Sequence, residues 1–143
     1  MVLRSDQLVC RTKIQVRFSD VDSMGVVWHG NYIKFFEDGR EAFGNLYGIN
    51  YMDFYNKGVL IPLVKINCDY KKPLRYGDTA VVETRFSNCE AARLQYEYVI
   101  FRNETDEVVA TGSSVQVFLT PDMELMLDFP PFFLEWKKKQ GLA

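Results

Sequence analysis

The sequence is poor in the residues that staple or metallate small proteins. It holds three cysteines, Cys10, Cys68 and Cys89, and one histidine, His29, in 143 residues. The cysteines are odd in number, far apart and outside any C-x-x-C pattern, so they build neither a disulfide framework nor a zinc site. They read as reduced thiols, which points to a cytoplasmic protein. Charge of one sign is lacking too. A net charge of −2 gives no bulk reason to bind nucleic acid or an anionic membrane. No run approaches the ~18 apolar residues of a membrane span, and MVLRSDQLVC carries no apolar core for a targeting leader. There is no G-x-S-x-G elbow and no cysteine patterned with the histidine, which argues against ordinary serine and cysteine hydrolases. No repeat, linker or low-complexity segment divides the chain.

What is present is a 48% hydrophobic, 15% aromatic chain. A chain of this size buries roughly two thirds of its unfolded surface, and one domain over 1–143 accounts for it. Its organising stretch is Ser19–Arg40, SDVDSMGVVWHGNYIKFFEDGR. A polar turn with two carboxylates, Asp20 and Asp22, leads through Gly25 and Val26–Val27 to His29. From Asn31 the spacing turns helical. Tyr32, Phe35, Phe36, Gly39, Phe43, Leu46 and Tyr47 recur at steps of three or four and predict an amphipathic helix to about Tyr47, closed by Gly48. Around it, alternation predicts strands at Lys13–Phe18, Pro62–Tyr70, Thr79–Ser87, Arg93–Arg102 and Val108–Leu119. Gly112 marks a bulge or close approach in the last of these. Tyr51–Lys57 reads as a short helical turn, and a short helix of about 130–139 follows Pro130–Pro131. Short connections make the later strands antiparallel neighbours. The fold class is therefore α+β: an antiparallel sheet of about five strands wrapped around one long helix, with a core of about 13–120.

Asp22, in a loop before a helix, reads first as a turn former or cap. The chemical alternative is a nucleophile or general base toward a carbonyl held at the helix N-terminus, where free N–H groups stabilise a developing oxyanion. Asp20 competes for that role. A neutral His29 ring could donate to a carbonyl or orient a water. Lys71, Lys72, Arg75 and Arg93 read singly as solvated strand ends, and together as a set able to meet phosphates. The run Lys137–Lys139 reads as a favourable charge at a helix C-terminus.

D-V-D-S-M-G-V-V-W-H-G-N-Y-I-K-F-F-E-D-G-R resembles the signature of hotdog-fold acyl-CoA thioesterases of the 4-hydroxybenzoyl-CoA thioesterase type, including the branch associated with the Tol–Pal cluster. The strand start at Pro62, the turn P-L-R-Y-G-D and the strand opening Arg93-Leu94-x-Tyr96 match as well, so the likeness spans roughly Lys13 to Leu119. The resemblance implies a thioester hydrolase with Asp22 and His29 as catalytic residues. Asp22 matches the catalytic aspartate, and the backbone N–H near His29 is an oxyanion donor. Tyr32 and Arg93 are implied substrate or CoA contacts, and Glu37 and Arg40 supports of fold or pocket. Ser23-Met24-Gly25 departs from the family's usual Ala or Pro, and Met24 reshapes the acyl pocket. No metal or cofactor is implied. The resemblance further implies homodimers joined edge to edge, often paired into tetramers, with active sites at subunit interfaces. The expected substrate is an aromatic or short-to-medium acyl-CoA. Alternatives are an acyl-carrier-protein thioesterase and a non-catalytic acyl-thioester binder, while a hotdog dehydratase fits the acid-before-histidine order less well.

Overall fold

The computed structural model describes residues 8–142. The expectation about a leader falls on residues 1–7 in large part, and that portion lies outside the described residues. Five strands form a single antiparallel sheet in the order β1-β3-β4-β5-β2: β1 is Val9–Gln15, β2 Leu63–Tyr70, β3 Thr79–Ser87, β4 Arg93–Arg102 and β5 Glu107–Val117. One face of this sheet wraps α1, Asn31–Tyr47. The fold is the expected α+β hotdog, a long helix held in a curved antiparallel sheet.

The stripe explains the helix. Tyr32, Phe35, Phe36, Gly39 and Phe43 are buried, and Phe36 stacks on Tyr98 of β4 at 4.4 Å while Phe43 meets Tyr96 edge-on at 5.2 Å. Each such phenyl contributes about 1.5–3 kcal/mol by leaving water. Gly48 ends the helix in the left-handed conformation (φ 79°), its N–H donating to Gly44 O. Leu46 departs from expectation. It lies on the apolar stripe yet is exposed. Gly39 sits where α1 rides on β3, and a Cβ there would collide with Thr84 Oγ1 and lie 2.8 Å from Val82 Cγ1.

Gly112 is a close approach, not a bulge. A side chain would come within 2.5 Å of the Phe36 ring and 2.6 Å of Asn67 O. The irregularity in the β4–β5 ladder falls instead between Ile100 and Phe101. β1 begins and ends before the predicted strand, and Phe18 enters a 3-10 turn, Phe18–Asp20, in which its ring is exposed. The Asp20 carboxylate drives that turn by accepting the Arg17 N–H at 2.8 Å. β2 hydrogen-bonds to β5 along one side only, and its Leu63 and Val64 are exposed.

Two short helices close the far end. In α2, Tyr51–Asn56, Asn50 Oδ1 accepts from Asp53 N and the Asp53 carboxylate accepts from Asn50 N, a reciprocal cap. Phe54 of α2 packs with Phe118 and with Phe132 and Phe133 of α3, Pro131–Lys139. Trp136 Nε1 donates to Tyr47 O at 2.7 Å and ties α3 to the end of α1. Lys137, Lys138 and Lys139 occupy the last turn of α3, as the charge preference at a helix C-terminus predicts, and Lys137 does more. It is buried, donates to Cys89 O at 3.1 Å and lies 4.2 Å from the Phe129 ring centre.

Candidate active site

The entrance to α1 is assembled from three segments. The chain leaves the 3-10 turn at Val21, folds back through a tight loop and pairs Val21 with Val27. Val26 then pairs with Arg75, and the Val27 N–H donates to Leu74 O at 2.8 Å, zipping the loop to the turn after β2. Arg102 of β4 clamps that turn from behind, donating to Pro73 O at 2.7 Å and to the Asp78 carboxylate.

The two carboxylates separate cleanly. Asp20 is buried; its side chain is engaged by Arg17 and its carbonyl accepts from both Trp28 N and Asn31 Nδ2, at 3.0 and 2.8 Å. It anchors the start of α1. Asp22 is half-buried at the loop. Its Oδ1 accepts the Met24 N–H at 2.8 Å, a turn-forming contact, and its Oδ2 has no partner among the described residues. Met24 is exposed beside it.

His29 is exposed, its ring 4.7 Å from that of Trp28. Trp28–Asn31 forms a turn in which Asn31 N donates to Trp28 O at 2.9 Å. The N–H groups of His29 and Gly30 meet no acceptor among the described residues, and no side chain caps α1. Helix N-termini concentrate unsatisfied donors and positive dipole character, which suits a developing negative charge. The Trp28 ring lies so close over Gly30 that any Cβ at position 30 would collide with it.

Tyr32 is buried, its hydroxyl accepting from Leu74 N at 3.3 Å and its ring edge-on to Tyr70 at 5.1 Å. Burial pushes the Tyr32 phenol up despite the Leu74 contact. Tyr70, the last residue of β2, donates its hydroxyl to His29 O at 2.8 Å. Burial, reinforced by Cys68, pushes its phenol up as well, so it stays an O–H donor. A cleft of about 280 Å³ opens here between Val27, His29, Tyr32, Tyr70, Lys71 and Pro73. Lys72 also borders it but is held by Glu107 at 2.7 Å.

The structure thus brings Asp22, His29 and Tyr32 to one end of the sheet. It leaves Arg93 at the other. Arg93 opens β4 opposite Val117 and donates to Gln95, whereas Arg102, at the far end of the same strand, reaches Pro73. Standing at opposite ends of the ten-residue strand, the two arginines are about 30 Å apart. Arg40 donates to the Tyr98 hydroxyl at 3.0 Å and supports the core, while Glu37 is exposed. Of the aromatics on α1 and α2, Phe35, Phe36 and Phe54 are buried, whereas Tyr51 and Tyr55 are exposed on α2. Tyr70 escaped the sequence reading, which placed it on a strand face; the K-K-P turn beside it was the available signal that the strand ends at the site.

Among the described residues no cluster of His, Cys, Asp or Glu could hold a metal ion, and no helix is long and apolar enough to cross a membrane.

Comparison with known proteins meets the same picture. The thioesterase-like superfamily profile matches residues 16–137. YneP of Bacillus subtilis (strain 168), named as a candidate acyl-CoA thioesterase, is 37% identical over 128 residues, covering 90% of this chain and 92% of its own. A 1,4-dihydroxy-2-naphthoyl-CoA hydrolase of Thermosynechococcus vestitus is 28% identical, covering 86% of this chain and 84% of its own. The crystal structure of a DHNA-CoA thioesterase from Staphylococcus aureus superimposes with a TM-score of 0.82 at 30% identity, covering 94% of this chain and 92% of that one. The chain belongs to the thioesterase-like superfamily and carries its hotdog fold.

Proposed function

We propose that the protein is an acyl-CoA thioesterase that releases a free acid and CoA from aromatic or short-to-medium acyl-CoA, in the manner of the 4-hydroxybenzoyl-CoA and Tol–Pal-associated branch. The observation that carries this reading is the pair of unpartnered N–H groups at His29 and Gly30, at the mouth of α1 and beside the Asp22 loop. The thioester carbonyl would sit on those donors. Asp22 would then act in one of two ways. As nucleophile it attacks the carbonyl carbon, the C–S electron pair leaves as CoA thiolate, and water opens the resulting anhydride. As base it takes a proton from water, which attacks instead, and the collapsing oxyanion expels the thiolate. Either way the negative charge on the carbonyl oxygen is met by donors fixed in advance.

Lys71 at the cleft suits a phosphate of CoA or of a carrier-borne pantetheine arm. Two copies would join through the free edge of β2, and a second chain is the means by which Arg93 could approach a bound CoA. The free Cys10, Cys68 and Cys89 suit a reducing, cytoplasmic setting.

The test is thiol release from benzoyl- to decanoyl-CoA and from carrier-bound acyl groups, with wild type and Asp22→Ala compared. The variant is expected to lose at least ~10²-fold in rate while melting normally. Undiminished turnover in the variant would remove Asp22 from the chemistry. Binding of intact acyl-CoA without thiol release would make the protein a binder.

A further inference from the structure

We infer that Tyr70 is the positioning residue of the oxyanion site, acting through the His29–Gly30 peptide; this rests on the thioesterase reading above. A trans peptide holds its C=O and the following N–H antiparallel. The Tyr70 hydroxyl donates to His29 O at 2.8 Å, so it pins one end of this peptide plane and thereby aims the Gly30 N–H away from itself. The neighbouring peptide is pinned separately, by Asn31 N on Trp28 O at 2.9 Å. Among the described residues the only other group on the His29 carbonyl is Tyr32 N, at a long 3.4 Å.

Tyr70 is itself well placed for the task. Its backbone pairs with Ala110 of β5, and the next two residues, Lys71 and Lys72, both donate to Val109 O. Its ring stands at 87° to Tyr32 and 88° to His29. The phenol therefore comes from the sheet, the rigid layer of the fold, and reaches across to the first turn of the helix layer. Without it, the His29–Gly30 peptide can rotate between Tyr32 N and solvent. The N–H of Gly30 would then be present but no longer aimed. Oxyanion stabilisation depends on donors oriented before the charge forms, and deleting one outright costs about 10²–10³ in kcat. Loosening one costs less.

The experiment is Tyr70→Phe, which keeps the ring and removes the hydroxyl. It is expected to lower kcat about 3- to 30-fold, a fraction of the loss from deleting a donor, with KM and melting temperature essentially unchanged. A purely structural role would move the melting temperature and leave the bound substrate's electronics alone. The second readout is therefore the carbonyl stretch of benzoyl-CoA bound to Asp22→Asn. Its shift to lower frequency should shrink when Tyr70→Phe is added. An active wild type with unchanged kcat and unchanged carbonyl shift in the variants would overturn the role of Tyr70 and leave the thioesterase reading intact. A wild type inactive on every thioester would overturn the thioesterase reading, and this inference with it. A third variant, Tyr70→Ala, separates the ring from the hydroxyl. If Tyr70→Phe matches wild type and only Tyr70→Ala is impaired, packing is the whole contribution and the inference falls.

Discussion

Gly39→Ala tests how α1 is seated on the sheet. In an exposed helix interior this change stabilises by about 1 kcal/mol, because alanine orders at lower entropic cost. Here the new Cβ would collide with Thr84 Oγ1 and lie 2.8 Å from Val82 Cγ1, inside the ~3.5–4.0 Å of an ordinary carbon contact. Both obstructing side chains are fully buried on β3, which is paired on both sides by β1 and β4. They cannot step aside, so the helix must lift. Overpacking of this kind costs about 1–3 kcal/mol. Set against the helix gain, the expected net is a loss of up to about 2 kcal/mol, or up to roughly 7 °C in melting temperature. Thr84 makes the attribution testable. Its Oγ1 is buried without a partner among the described residues, so Thr84→Ala removes the nearer of the two obstructions without breaking a hydrogen bond there. In that background Gly39→Ala should recover about 1 kcal/mol of its cost, read by urea or thermal unfolding of all four proteins. A stabilised Gly39→Ala, or an identical cost in both backgrounds, would refute the close seating.

Two further outcomes concern pH. Burial alone would raise the Glu83 carboxyl, but hydrogen bonds and charge from Arg85 and Arg11 outweigh it and hold the group below the usual range. A depressed carboxyl stabilises the fold above its unfolded-state pKa, and that contribution is lost as pH falls through the folded value. Glu83→Gln should therefore cost about 1 kcal/mol at pH 7 and progressively less below pH ~4, as followed by melting temperature across pH. Lys137 is the opposite case, its ammonium lowered by burial although Cys89 and Glu90 oppose this. Stability from this site rises as pH climbs from the folded value toward the ordinary lysine range, since the unfolded chain holds the extra proton. Lys137→Met should shift stability at pH 7 by less than about 1 kcal/mol and flatten the alkaline limb; an unchanged limb would mean the amine titrates normally.

The helix and its cap were legible because they rest on local rules, a stripe repeated over seventeen residues and one glycine suited to positive φ. β3 and β4 were legible for the same reason, with alternation read over nine and ten residues. What was not legible was set by tertiary context. Leu46 belongs to the stripe by spacing, yet it is exposed in the fold. Lys137 was placed at a helix end by its spacing, but its burial over Phe129 comes from how α3 packs. Composition leaves Asp20 competing with Asp22; the back-folded loop makes Asp20 an anchor and leaves Asp22 with an oxygen that has no partner among the described residues. Arg93 could be assigned to a strand start, but which end of the sheet that start occupies depends on strand direction. Tyr70 was visible as a strand residue, and its bond to His29 spans forty-one positions of sequence.

The free side of β2 has a consequence of mass action. An unpaired strand edge is a template for another strand, and the last residue of this one is Tyr70. A second chain pairing there would stiffen the residue that holds the His29 carbonyl. Turnover per chain would then climb with protein concentration and fall on dilution. The cell's abundance of the protein would set how well each copy works, as well as how many there are.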